Sequence, residues 1–480
     1  MLELSQLKKN KVSLADYNSA GDIENRMLMA NFSASDIKVL SEILYSPLKI
    51  SMKRLAKSLD LQGDEIGPVL AKLQEAGLLR IEGDAISVDK EGRKYFEFQI
   101  ARFDPDFKPD MEFLQGILKK VPIHLLPLWY AISRTSNNIF ESIVEKYLLT
   151  PQIFQRYLNE INYADPTLQR IVADLFSAPD FRLSSSDIIA KYNLPRRRFE
   201  EIILFLELNF VCCLTYEKAD DHWVEYVSPF HEWHEYLRFL KATDAPAIGS
   251  GEPVFKRHES DFGFVEDMSR LLEWIQKKPL PLDAWQEGTP LSSALTTKLA
   301  PVCSLKVETA EDLQRAGVYL SHLIEKLCAV KLADRIDQKL YLSEGASDWL
   351  DMTLENRSLY LYRHPLNRIV SKHLSPHVCT ERNIREAEKS IKRVLHGNWV
   401  FFEDFLKGVL IPLSEESVIS LKKTGRHWKY TLPLYGEDEK ALLKAVVFEW
   451  LFETGMITIG TCRGRDCFAV TPFGRFFFDE

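Results

Sequence analysis

The sequence predicts a mainly α chain with small β-hairpins (α+β), built from about four cassettes joined by helical connectors. Three observations predict it. Four segments repeat one order: an amphipathic helix, a short apolar strand, a turn, a second strand, and a helix rich in aromatics. The last strand-to-helix junction carries a shared signature in all four. The junctions at Asp89, Ser228, Ser343 and Thr471 lie about 115 to 140 residues apart, longer than a simple solenoid period, which leaves room for a helical lead-in to each hairpin.

In the first segment the helix Asp64 to Ala76 is closed by Gly77, the strand is Leu78 to Ile81, and Glu82-Gly83-Asp84 turns into Ile86 to Val88. The second has FEEIILFLELN, the strand Phe210 to Tyr216, a turn at Lys218 to Asp221, and WVEYV. The third has EDLQRAGVYLSHLIEKL, CAVKLA, a turn near Asp334 to Gln338, and LYL. The fourth has EDEKALLKAVVFEWLFET, Gly455 to Ile459, a turn at Arg463 to Asp466, and CFAV. At each junction Ser, Thr or Asp is expected to cap the new helix by accepting from its orphan N–H groups. Pro229 and Pro472 suit a first helical position, and Gly92, Gly345 and Gly474 are expected to let helix and strand approach closely.

A helical lead-in followed by a two-stranded hairpin is a winged helix. The expected blocks are a polar segment (1–32), winged helix 1 (33–102), a helical connector (103–148), winged helix 2 (149–240), a linker (241–262), winged helix 3 (263–355), and winged helix 4 with a basic helix and hairpin (356–480). A chain of 480 residues fits roughly two to four domains. The first block is expected to be partly disordered. KATDAPAIGSGEPVFKRHES (241–260) is the most linker-like stretch and is expected to divide the chain into halves. No apolar run of about 18 residues predicts a membrane span. The N-terminus lacks the apolar core of a secretory signal. Seven scattered cysteines form no disulfide framework, so a cytoplasmic protein is expected.

The order of helix one, KRLAKSLDL, helix three and the EGD turn in the first block resembles MarR-type winged-helix transcription regulators. GMITIGTCRGRDCFAVTPFGRFFF is similar to the winged-helix accessory region of some bacterial relatives of the xeroderma-group-B helicases. That likeness implies an adaptor acting in trans, because no G-x-x-x-x-G-K-[ST] loop and hence no motor is present.

No catalytic residues are expected: G-x-G-x-x-G after a strand and G-x-S-x-G are both missing. His222, His231 and His234 lack the spacing that puts two imidazoles on one helix face, so neither metal nor cofactor is expected. Cys462 and Cys467 are expected to face each other across a hairpin. The candidates for a nucleic-acid contact are basic. Arg196, Arg197 and Arg198 open the third helix of the second block, where helix-turn-helix proteins meet bases and phosphates, and cations there oppose the helix dipole. Arg463 and Arg465 lie at a wing tip. Lys422, Lys423, Arg426, Trp428 and Lys429 form a basic hairpin with interleaved aromatics.

The first block points elsewhere. Its third helix offers Asp64, Glu65, Lys72, Gln74 and Glu75, while Lys49, Lys53, Arg54 and Lys57 lie on or before helix two. The expected function is a non-enzymatic, DNA-associated regulator or helicase-linked adaptor contacting double-stranded DNA. The alternative is a protein-protein interaction scaffold built from winged helices without nucleic-acid binding, with winged helix 1 as the expected site for protein partners. A net charge of −8 favours the alternative; the local arginines favour the first.

Overall fold

The computed structural model describes residues 11–479 apart from 61–62, 134–137, 162–164, 221, 283–284, 365–368, 370–373 and 426. It is mainly helical, with small antiparallel sheets. The chain divides into two compact units. One comprises Met1–Phe239 with Ser420–Thr431, the other Leu240–Ile419 with Leu432–Glu480.

One element order occurs four times: helix, short strand, two helices, a two-stranded hairpin, and a closing helix. The first unit holds two such modules. Module one runs through Ala34–Tyr45, Lys49–Ser51, Met52–Leu59, Gly63–Glu75, the hairpin Leu79–Glu82/Ala85–Val88, and Lys90–Gln99. Module two runs through Pro166–Ser177, Leu183–Ser184, Ser185–Tyr192, Arg196–Leu208, the hairpin Cys213–Ala219/His222–Ser228, and His231–Ala242. In both sheets the short strand pairs with the second strand of the hairpin, through Ile50↔Ile86 and Leu183↔Val227.

The second unit holds the other two. Module three has Gly263–Lys277, Leu280–Pro281, Ser293–Leu299, Ala310–Ala329, the hairpin Ala333–Ile336/Lys339–Leu342, and Ala346–Leu350. Module four has Glu381–Lys389, Val400–Phe401, Phe402–Lys407, Glu437–Ala445, the hairpin Ile457–Cys462/Arg465–Val470, and Pro472–Phe478. The same strand order returns, through Leu340↔Leu280 and Val400↔Phe468. Module four carries an extra edge strand, Phe255–Lys256, paired with Thr461 and Gly460.

The hairpins match expectation in kind and shift in register. The third begins at Ala333, because CAVKL closes the preceding helix rather than opening a strand. The fourth turns at Arg463-Gly464, where both residues adopt positive φ. Cys462 therefore faces Arg465, and Cys467 faces Gly460, so the two cysteines are not the directly opposed pair expected. The junction signature divides. Asp89 accepts from the N–H of Gly92 at 2.7 Å and Thr471 from that of Gly474 at 3.0 Å. Ser228 instead ends its strand three residues before the helix His231–Ala242, and Ser343 donates to Asp334 at 2.6 Å.

The junction glycines divide too. A Cβ on Gly474 would run into the Met456 carbonyl, one on Gly92 would touch Leu78 Cα at 3.4 Å, and one on Gly345 would meet open space. Gly474→Ala is therefore expected to cost about 1–3 kcal/mol in chemical denaturation. Gly345→Ala should stay within about 0.5 kcal/mol. Equal losses at the two positions would show that close approach is not what glycine provides.

Two segments read as polar or linker-like hold ordered elements. Within residues 1–32, Ser19–Met29 is a helix that buries Ile23, Arg26 and Met29. Within 241–262, Phe255–Lys256 joins a sheet and the Ile248 N–H donates to the Trp399 carbonyl at 2.8 Å. The expected last block, 356–480, is also interrupted. Its basic hairpin, Leu421–Thr424/His427–Tyr430, belongs to the first unit.

Candidate nucleic-acid interface

The helix Arg196–Leu208 starts after Pro195 without a side-chain cap. It buries Phe199, Glu200, Ile202, Ile203, Leu204, Leu206, Glu207 and Leu208, which is nearly its whole circumference. A helix that reads bases needs an open face, and this one keeps only its first turn and a narrow strip. Two of its buried side chains are carboxylates, which stay buried only when paired.

Their partners form an alternating chain of charge. The Arg26 guanidinium donates to Glu200 Oε2 and to Glu207 Oε2, each at 2.8 Å. Arg102 donates to Glu207 Oε1 at 2.7 Å, to Gln99 at 2.8 Å and to the Leu214 carbonyl at 2.8 Å. Arg196 sits 2.5 Å from both Glu200 and Glu225, and Ser185 donates to Glu225 at 2.7 Å. Burial alone would raise the Glu207 carboxyl, but the Arg102 and Arg26 guanidiniums reverse that and hold it well below the usual carboxylate range.

Arg196 is therefore the outer link of an internal ion chain, which explains a cation at a helix N-terminus without a ligand. Arg198 pairs with Glu201 at 3.1 Å and Asp165 at 3.2 Å, and Arg197 lies 3.8 Å from Glu201 and 3.9 Å from Glu24. Arg197 and Arg198 reach solvent, while Arg196 is withdrawn.

The third helices of modules three and four also bury charged side chains. Ala310–Ala329 buries Lys326 together with Tyr319, Leu320, Leu323, Ile324 and Leu327. The helical stretch from Glu437 through Leu451 continues to a buried Glu453. Lys326 lies 2.7 Å from Glu453, and His322 lies 2.5 Å from it. His322 and Glu453, with Glu449, bring three possible metal-ligand atoms within 4.8 Å. A divalent ion would have to displace the Lys326 ammonium, which already neutralises Glu453. Burial disfavours the His322 imidazolium, but Glu453 more than offsets that and shifts its pKa upward. Nothing in the local sequence marks this group, since Lys326 and Glu453 are far apart in the chain.

Module one keeps an open third helix. Ile66, Val69, Leu70 and Leu73 face inward, while Gly67, Pro68, Ala71, Gln74 and Glu75 are exposed. Lys72 pairs with Asp36 at 2.8 Å. The side chains of Asp64 and Glu65 lie outside the described residues. Lys49, Lys53, Arg54 and Lys57 are exposed.

In the basic hairpin, period-two alternation separates two faces. Leu421 and Tyr430 are buried partners on one face, with Lys423 opposite a half-buried Trp428. Anchors to the first unit lie on this side. The Leu421 N–H donates to the Leu149 carbonyl at 2.7 Å, the Tyr430 hydroxyl to the Leu148 carbonyl at 2.8 Å, and Trp428 packs edge-on against Phe140. On the other face Lys422 lies directly opposite Lys429, and Thr424 opposite His427, all four exposed. Neither lysine has a carboxylate partner among the described residues. Arg426 lies outside the described residues.

The fourth hairpin has less free charge. Arg463 pairs with Glu252 at 3.0 Å. Arg465 pairs with Glu403 at 3.0 Å and lies over the Phe401 ring at 3.9 Å. Of the histidines, His222 sits on a strand, while His231 and His234 line a cleft in which burial lowers both pKa values; His234 bonds the Asp180 carbonyl at 3.0 Å. The three do not group as metal ligands. No helix among the described residues is long and apolar enough to cross a membrane. No family model matches the chain, and no curated protein matches it either.

Proposed function

We propose that the four modules are winged helices, and that the protein is a non-enzymatic, nucleic-acid-associated one that grips the phosphate backbone rather than reading bases. The Lys422/Lys429 pair carries this reading. Like charges directly opposite across a hairpin destabilise it, and no carboxylate among the described residues offsets them. A ribbon anchored by its aromatic side with cations outward suits a phosphate backbone, whose neutralisation releases counterions. Lys53, Arg54 and Lys57, exposed on helix two of module one, support the same role. The near-complete burial of the third helix in module two argues against base readout there.

A protein-binding scaffold is the second reading. It is favoured by the open third helix of module one, where Gly67, Pro68 and Ala71 offer a small-residue face beside Glu75. Titrating the protein with two labelled duplexes of unrelated sequence separates the readings. Backbone gripping predicts equal affinities at low salt. A strong preference for one duplex, or no binding to either, would contradict it.

A further inference from the structure

The second unit contains an open cleft of about 580 Å³ that plays no part in the proposed DNA contact. Its volume falls within the range of small-ligand sites, roughly 300–1,000 Å³. One wall is the stretch from Lys256 to Ser260, another the start of the helix Gly263–Lys277, and a third runs from Cys303 to Tyr319. Five basic side chains line it: Lys256, Arg257, Arg270, Lys306 and Arg315. Arg270 is committed to Asp267 at 2.9 Å and Glu266 at 3.3 Å, and Arg315 to Glu311 at 3.1 Å. Lys256, Arg257 and Lys306 are exposed and have no carboxylate partner among the described residues.

Two of the three acids in the lining, Glu266 and Asp312, are occupied. Glu266 also accepts from Ser260 Oγ at 2.6 Å, and Asp312 caps its helix by accepting from the Thr309 N–H at 3.0 Å. Only Glu259 stands free of such bonds among the three.

The floor is rigid and polar. Tyr319 donates to the fully buried Asp267 at 2.7 Å, and the His258 ring stacks on Phe452 at 5.6 Å. Arg257 is held over the Tyr319 and Phe452 rings at 5.0 and 5.6 Å. A guanidinium fixed by two rings loses little freedom when it binds an anion. Burial pushes Asp267 up to about 6 and His258 down to about 4, so His258 enters neutral conditions as an uncharged hydrogen-bonding group. Ser304, on the rim, holds φ at 54°, the left-handed conformation that closes the turn after the helix Ser293–Leu299, where the Leu305 N–H donates to the Ala300 carbonyl at 2.9 Å.

The geometry points to a binding site for a small phosphate ester, held by Lys256, Arg257 and Lys306 above the Tyr319–Asp267 floor. Lys256 and Arg257 come from one wall of the cleft and Lys306 from another. Phosphate matches three unpaired cations lining one cleft better than a monocarboxylate, which presents a single negative charge. The site is independent of the ribbon, so its test leaves the ribbon untouched.

The experiment is calorimetric titration of the full chain with pyrophosphate. Acetate serves as the non-phosphate control, and a short single-stranded dT oligonucleotide tests whether the phosphate belongs to a chain instead. We expect saturable one-to-one binding of pyrophosphate and at least tenfold weaker binding of acetate. The Lys256→Ala/Arg257→Ala/Lys306→Ala variant should lose at least tenfold in affinity, and Lys422→Ala/Lys429→Ala should lose none. Arg257 also packs on two rings, so Lys306→Glu, a reversal at an exposed position, provides a second variant and should weaken binding several-fold. No saturable heat, unchanged affinity in Lys306→Glu, or binding of the oligonucleotide alone would overturn the assignment.

Discussion

Glu207→Gln is expected to destabilise the first unit by about 3–5 kcal/mol, the largest loss of any single substitution considered. The carboxylate serves two buried guanidiniums, those of Arg26 and Arg102, at 2.8 and 2.7 Å. Removing one partner of a buried pair leaves an uncompensated charge, which costs far more than the pair's net contribution. Arg26 keeps Glu200, so most of the loss should fall on Arg102, left with Gln99 and a carbonyl. Adding Arg102→Met should therefore recover part of the stability, because an apolar side chain needs no counter-charge there. A double-mutant cycle by urea denaturation checks this, and strict additivity would contradict it. The sign with pH follows from the depressed carboxyl. Its stabilisation is present above the ordinary glutamate range and is lost as pH falls through the lower folded value.

Glu232→Gln should act in the opposite direction. Glu232 lies buried in the helix His231–Ala242, accepting from the Met111 N–H at 3.1 Å, and its second oxygen has no hydrogen-bond partner among the described residues. Burial pushes its pKa up to about 7, and nearby Asp110 adds to the shift. A carboxyl raised in the folded state stabilises fully below its unfolded value, and that contribution disappears as pH rises through the folded one. The stability of the variant relative to wild type should therefore increase by on the order of 3 kcal/mol between about pH 5 and about pH 9. A difference that stays flat with pH would mean that Glu232 is not held in its protonated form.

Much of the fold was legible because its signals are local. Ser33 with Asp36 forms a capping box, Asp89 and Thr471 cap as their positions suggest, and Gly83 and Gly464 turn their hairpins with positive φ. Ser228 and Ser343 carry the same signal, but the chain makes different use of them, since a cap needs geometry as well as a hydroxyl. The candidate interface was less legible because its determinants are long-range. Arg26 meets Glu200 across 174 residues, and no window of sequence holds both. Without that contact Arg196 reads as a free cation; with it, Arg196 is a structural one. The stretch 241–260 was legible in part: the two compact units divide beside it, at Phe239 and Leu240. Its Pro and Gly content signals a linker, yet Phe255 and Lys256 pair with a strand some two hundred residues later, and Arg257 and His258 help to line a cleft. The ribbon's mixture of basic and aromatic residues was visible, but its anchors at Leu148 and Leu149 were not.

The most direct test of phosphate gripping by the ribbon is the salt dependence of duplex-DNA binding, measured by fluorescence anisotropy. Wild type should bind at low salt with an affinity that falls linearly in log–log form as salt rises. Lys422→Ala/Lys429→Ala should reduce that slope by about 2, because each lysine would no longer neutralise a phosphate. Arg197→Ala/Arg198→Ala, at the start of a buried helix, should leave it unchanged. A slope insensitive to the ribbon lysines but reduced by removal of the two arginines would contradict the account.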